Sequence, residues 1–197
     1  MAARRQWAGT TPEERRATRR RALLDAGIAA LGAIDGPALT IRTVCRSSGV
    51  SERNFYEEFG DRDDFVRAVY QDVLESVMRV VTEFAAEGED LETRAVETFI
   101  GATVDNPVYG RILMVAPFTE PTLGSAGFAG SLAFASLAEK ALIDVDDPGR
   151  RRFLSVSLVG AASGAIIDYL RGDLAISRDE LIDYISRMGR QVSAIFD

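Results

Sequence analysis

Apolar residues recur at helical spacing along almost the whole chain, and no alternating run between hairpin turns interrupts them. From Ala17 to Leu31 the positions Leu24, Ile28 and Leu31 follow i, i+4, i+7, and Gly36-Pro37 should stop that helix. Thr40 can cap a short helix from Ile41 to Ser48, which Gly49 ends, and Ser51 can cap the next, running to Phe59. A long amphipathic stripe follows from Asp63 to about Ala85, carried by Phe65, Val66, Val69, Val73, Val77, Val80, Val81 and Phe84, and broken by Gly88. Further helices are predicted over Leu91–Val104, Val108–Val115, Leu132–Ile143, Gly149–Arg171 and Arg178–Phe196, jointed at Pro107, Pro117, Pro121, Pro148 and Gly172. The pattern predicts an all-α protein.

Composition narrows the classes of function. The 197 residues are 47% hydrophobic and 27% charged, which is ordinary globular composition. There is no histidine, so His general bases, triads and metal ligands are excluded, and with them the usual pH switch near neutrality. Cys45 is the single cysteine, so neither an intrachain disulfide nor a thiolate zinc site can form. No catalytic residue, metal or cofactor is expected. Adjacent acids such as Asp63-Asp64 and Asp146-Asp147 point apart on a helix, which leaves an enzyme as a distant alternative. The N-terminus is basic and polar without an apolar segment behind it, unlike a secretory signal. The longest strongly apolar run, Ser155–Ile167, falls short of the roughly 20 residues that span a bilayer, so a soluble cytoplasmic protein is expected.

Charge is unevenly placed. The net charge is −7, yet residues 1–60 hold ten arginines against seven acids, while the rest of the chain is strongly acidic. An acidic body with a basic end suggests that one end meets a polyanion. Arginine outnumbers lysine 22 to 1, however, so no single arginine is marked out for phosphate by its identity.

The two short helices joined at Gly49 have the spacing of a helix-turn-helix, with Ile41, Val44, Val50, Phe55 and Phe59 as a shared core. Gly49 suits the left-handed turn, and the small Cys45 lies where the helices approach closely. The second helix then presents Glu52, Arg53, Asn54 and Tyr56 near its N-terminal end, where a recognition helix meets base edges. Arg matches guanine bidentately and Asn matches adenine. Spacing alone does not separate this reading from an ordinary pair of helices in a small bundle.

The wider string RRALLDAGIAAL…DGPALTIRTVCRSSGVSERNFYEEFGDRDDFVRAVY closely resembles the N-terminal domain of the tetracycline-repressor (TetR) family. The resemblance rests on the Leu/Ala first helix and the glycine after it. It continues through the G-V-S turn at 49–51, F-Y-x-x-F at 55–59, and Arg62 before an apolar fourth helix. D-N-P at 105–107, L-V-G at 158–160 and L-R-G-D-L-x-x-S-R-D-E-L at 170–181 extend it over nearly the whole chain. It implies a three-helix DNA-binding head on a larger helical body that dimerises and binds a small effector. The division expected is a basic, flexible arm over 1–16, a helix-turn-helix domain over 17–66, and an effector-binding and dimerisation domain over 67–197.

Carried over by position, Thr40, Ser51, Tyr56 and Arg62 resemble residues that hold backbone phosphate, and Arg42 joins Glu52, Arg53 and Asn54 as candidate DNA-facing residues. Hydroxyl caps suit this role because helix N-termini bind phosphate. Cys45 replaces the usual alanine, and Glu57 and Glu58 place two acids beside a polyanion; they should face away, although Glu57 could accept from a cytosine amino group. The arginines at 15–21 are favoured as phosphate contacts, with Arg4 and Arg5 undecided. Leu181, Ile185, Met188, Val192 and Ile195 repeat at 4, 3, 4, 3 and read as a dimer seam, with Gly160 and Gly164 permitting close approach of the preceding helix. An effector pocket is expected among Thr103, Tyr109, Leu113, Met114, Phe118, Phe128, Phe134, Asp168 and Tyr169, for an apolar or aromatic ligand. The expected partners are thus a double-stranded, palindromic DNA operator, a second copy of the chain and a small-molecule effector, with no membrane. The expected function is a repressor released from its operator by that effector. An architectural DNA-binding protein without an effector is the alternative, which a solid body core would favour and a cavity would disfavour.

Overall fold

The computed structural model describes residues 11–34, 39–85, 91–140, 142 and 145–192, and among them every regular element is helical. Helix α1 spans Pro12–Leu31, α2 Ile41–Ser48, α3 Glu52–Phe59 and α4 Arg62–Ala85. The body continues with α5 Leu91–Thr103, α6 Pro107–Gly110, a π turn Arg111–Val115, α7 Ala116–Thr119 and a 3-10 turn Pro121–Leu123. It ends with α8 Gly124–Glu139, α9 Pro148–Arg171 and α10 Arg178–Val192. The sites expected at Arg4, Arg5, Gly36-Pro37, Gly88, Ile195 and Phe196 lie outside the described residues, as do the side chains of Phe84 and Val192.

Local chemistry explains the head. The Thr11 hydroxyl accepts from the Glu14 amide at 3.1 Å, while the Thr11 amide donates to the Glu14 carboxylate at 2.6 Å, and Pro12 occupies the first helical position. Residues 12–16 are therefore the opening turns of α1. This corrects the expected flexible arm, whose apolar pattern began too late to reveal a capping box. Thr40 caps α2 through Thr43, Gly49 turns left-handed at φ 70°, and Ser51 caps α3 through the Asn54 amide. Phe55, Phe59 and Phe65 then meet edge to face or tilted, with centroids 4.9–5.6 Å apart.

Helix α4 binds head to body. Its buried face runs from Phe65 and Val66 beneath α1 and α3 to Val77 and Val81 among the body helices, so one continuous core serves both parts. The segment after α5 departs from a plain helix. Pro117 has no amide to offer the preceding turn, and the chain widens there into i→i−5 bonding, Ala116 N–H to the Arg111 carbonyl. Helix α8 begins at Gly124, ahead of the expected Leu132, and ends at Glu139, short of Ile143. Two glycines of its first turns admit neighbours: a Cβ at Gly127 would lie 2.4 Å from Pro117, and one at Gly130 2.5 Å from the Tyr70 hydroxyl.

Helix α9 differs from the others. By length and composition it is apolar enough to cross a bilayer, yet just 17% of its most apolar stretch is buried. The apolar run counted from Ser155 underestimated it, because Phe153, Leu154, Tyr169 and Leu170 extend the same helix. Leu154, Ser155 and Ile166 face inward, while Phe153, Val156, Gly160 and Gly164 face out.

Candidate nucleic-acid interface and internal cavity

The head presents the outer side of α2 and the N-terminal half of α3. Thr40, Arg42, Ser51, Glu52, Arg53 and Tyr56 are all exposed there, and Asn54 is half-buried. Arg53 leaves 87% of its side chain in solvent, steadied by Glu57 one turn on at 2.9 Å. Exposed Arg46 stands one turn beyond Arg42 on the same helix. Sequence reading passed it over, although i, i+4 spacing makes the two arginines neighbours.

Three arginines of α1 are engaged in ion pairs with other helices of the chain. Arg16 and Arg20 both donate to Glu58, at 2.8 and 3.0 Å, and Arg20 also lies 4.7 Å from the centre of the Phe59 ring. Burial alone would raise the Glu58 carboxyl, but the bonds from these two arginines outweigh it and hold the pKa below its ordinary value. Arg21 grips Asp72 of α4 with two bonds of 2.8 and 2.9 Å and Asp25 with a third of 2.8 Å. Of the cluster read as phosphate contacts, Arg16, Arg20 and Arg21 thus tie α1 to α3 and α4. Burial, with the Glu52 charge second, pushes the Cys45 thiol up, so Cys45 behaves as a small core residue.

Arg62 is likewise occupied. Its guanidinium meets Glu120 with two bonds of 3.1 and 2.7 Å and donates to the Leu39 carbonyl at 3.1 Å. The bonds from Arg62 hold the Glu120 carboxyl below its ordinary pKa. In this conformation Arg62 fastens the start of α4 to the turn before α8, whereas the resemblance had assigned it to phosphate. A second fastening lies nearby, where Arg111 of the π turn donates to the Gly32 carbonyl at the end of α1.

The body holds a half-open cavity of about 340 Å³ between α4, α5, α8, α9 and α10. Of the residues expected to line it, Met114 and Phe134 do so. Phe134 meets Phe99 edge-on across the wall, with centroids 4.9 Å apart. Thr103 and Leu113 are buried elsewhere, and the Thr103 hydroxyl donates to the Phe99 carbonyl at 2.7 Å. Tyr109 is half-buried outside the cavity, while Phe118 and Phe128 are 78% and 68% exposed. Asp168 and Tyr169 end α9, where their carbonyls accept from the Asp173 and Gly172 amides. Val81 and Thr82 of the wall fall in the stretch of α4 from Val77 to Phe84, where the amphipathic stripe places a ligand, whereas the wall residues that sequence reading missed include Phe99, Lys140, Ser163 and Ser186. For Lys140, Ser163 and Ser186 there was no signal.

The dimer seam also needs correction. Leu181 and Ile185 are 1% and 6% exposed within a single chain, and Ile185 lines the cavity, so neither is free for a partner. Met188 is half-buried. A heptad-like spacing identifies a buried face without saying whose surface covers it. Gly160 and Gly164 do face solvent, with open space where a Cβ would stand. No cluster of three metal-ligating side chains occurs among the described residues.

No family model and no curated protein matches the sequence. Solved structures do. A TetR-like transcriptional regulator from Rhodococcus sp. RHA1 superposes with a TM-score of 0.69 at 16% identity, over 90% of this chain and 96% of that one. A TetR-family regulator from Syntrophomonas wolfei reaches a TM-score of 0.72 at 12% identity, over 89% and 95%. The multidrug binding protein EbrR, complexed with imidazole, reaches 0.63 at 20%, over 86% and 94%. From the capped head to the last helix, the chain has the fold of the TetR-family transcriptional regulators.

Proposed function

We propose that this protein is a cytoplasmic, homodimeric, DNA-binding transcriptional regulator, acting as a repressor whose hold on a palindromic operator is loosened by a small effector. The observation that carries the reading is the pairing of two features joined by α4. One is an exposed α3 carrying Arg53 and Tyr56 on its solvent side; the other is a half-open cavity walled by Val81 and Thr82 near the far end of α4. The cavity also favours this reading over an architectural DNA-binding protein, whose body would have no reason to stay hollow. The multidrug binding protein that shares the fold supports it as well.

The division of labour follows from the residues. Arg53 reads a base edge from the major groove, while Thr40, Ser51, Tyr56, Arg42 and Arg46 hold the backbone on either side. Two heads must stand about 34–36 Å apart to enter successive major grooves. The outward face of α9, with Phe153, Val156, Gly160 and Gly164, and exposed Tyr184 of α10 form the surface that a second copy would cover. A ligand reaches the head by two routes: along α4 from Val81, and through Met114 to Arg111 and the Gly32 carbonyl. It releases the operator to the extent that it binds one head spacing better than the other. Footprinting on genomic fragments with and without Arg53→Ala tests the reading. Protection of a palindrome that the variant no longer distinguishes supports it, and binding without sequence preference by both proteins overturns it.

A further inference from the structure

The cavity wall is almost wholly apolar, and its few polar groups are not equivalent. The Thr82 hydroxyl is spent on the Met78 carbonyl at 2.7 Å. Ser186 is different. The residue is 2% exposed, lines the cavity, and its hydroxyl has no hydrogen-bond partner. A serine on a helix ordinarily returns its proton to a carbonyl of the previous turn, and a buried hydroxyl left unpaired is costly. Lys140, the single lysine of the chain, closes α8 and is the one ionisable residue among the described lining residues. The neighbouring acid Glu139 is already engaged by Arg152 at 3.3 Å. Lys140 lines the cavity and is itself exposed, and long cationic side chains of this kind lay their stems on apolar surface while the ammonium stays in water.

Resting on the effector role of the cavity, we propose that its ligand is an apolar monocarboxylate carrying one further hydrogen-bonding oxygen along its body. The carboxylate meets Lys140, the oxygen meets Ser186, and the remaining length lies against the apolar wall. One fixed positive charge selects a single negative charge and repels a cation. A sugar or nucleotide, with many polar groups to satisfy, would leave most of them unpaired in this wall. The volume of about 340 Å³ sits at the small end of ligand sites, which suits a medium-length chain or a small ring system.

Calorimetric titration of the full chain, free of DNA, tests this with decanoate, decanol, decylammonium and the monohydroxydecanoates. Decanoate should bind roughly 2–5-fold tighter than decanol, the range for an ion pair with an exposed ammonium, and decylammonium weakest. Lys140→Met keeps the stem and should abolish the preference for decanoate over decanol. At least one hydroxydecanoate should gain roughly 2–12-fold over decanoate, and Ser186→Ala should erase that gain. The same variant should not lower the melting temperature of the unliganded protein, because it removes an unpaired hydroxyl. The proposal is overturned if decanol matches decanoate, if Lys140→Met leaves the preference intact, if no hydroxyl position gains, or if none of these probes binds. Operator release, measured separately, keeps the two readings apart: ligand binding without release defeats the regulatory role and leaves the ligand class standing.

Discussion

Head and body fill their interiors in opposite ways. In the head, Phe55 and Phe65 are completely buried, Val44 is 1% exposed, and Arg16, Arg20 and Arg21 close ion pairs between α1 and its neighbours. In the body, just 17% of the most apolar stretch of α9 is buried, and five helices stand around a hollow. A reader of a fixed groove geometry benefits from rigidity, because misplacing a recognition helix loses contacts. A receptor benefits from space and from walls that can move. The contrast therefore assigns opposite sensitivities to similar substitutions in the two regions.

The largest effect should come from hollowing the dense region. Phe55→Ala is expected to cost about 3–5 kcal/mol, measured by chemical denaturation, and to abolish DNA binding by unfolding the head. Phe99→Ala, on a half-buried ring already facing the cavity, should cost much less and instead widen the range of ligands bound. Equal costs would erase the distinction between the regions.

Next comes the uncovered surface of the body. Val156→Glu places a charge on the outward face of α9 and should weaken the dimer by about 3 kcal/mol, the lower end for an unpaired buried charge. Sedimentation should then show folded monomers with weak operator binding. Leu181→Ala should destabilise the protomer itself, because Leu181 packs inside it. A variant at Val156 that remains a dimer with unchanged affinity refutes the assigned face.

Smaller still is the effect of Arg53→Ala, expected to cost about 1–3 kcal/mol at one base pair of the operator and nothing in stability. Equal weakening on specific and nonspecific DNA would remove its base-reading role. The smallest concerns the fastening between the regions. Arg62→Ala should cost up to about 1 kcal/mol of stability, since the arginine of the pair is partly exposed, and should leave the salt slope of DNA binding unchanged. A phosphate contact would instead lower that slope by roughly one unit. Because the folded Glu120 carboxyl titrates below its ordinary range, this link is intact above that range and is lost as acid reaches its depressed pKa. Stability in Arg62→Ala should accordingly fall less in acid than that of the parent.

Legibility was uneven for reasons visible in individual residues. The limits of α2 and α3 were readable because Thr40, Gly49 and Ser51 act on amides and dihedrals within four positions of themselves. The start of α1 was misjudged because Thr11 and Glu14 cap it ahead of any apolar residue. The glycines of α8 look like a loop until Pro117 and Tyr70 are seen to need their missing side chains. Arg62 looked available, since Glu120 lies 58 residues away along the chain.

By itself the sequence determined the helical class, the helix-turn-helix and the long face of α4, because hydrophobic periodicity, caps and turn glycines are properties of neighbouring residues. Tertiary structure alone decided which arginines are tied into ion pairs, whether the Leu181–Ile185 face points inward or outward, and where the cavity lies. These depend on what stands opposite each side chain. A buried stripe has the same spacing against its own core as against a partner, and a cavity is the volume that five helices fail to fill.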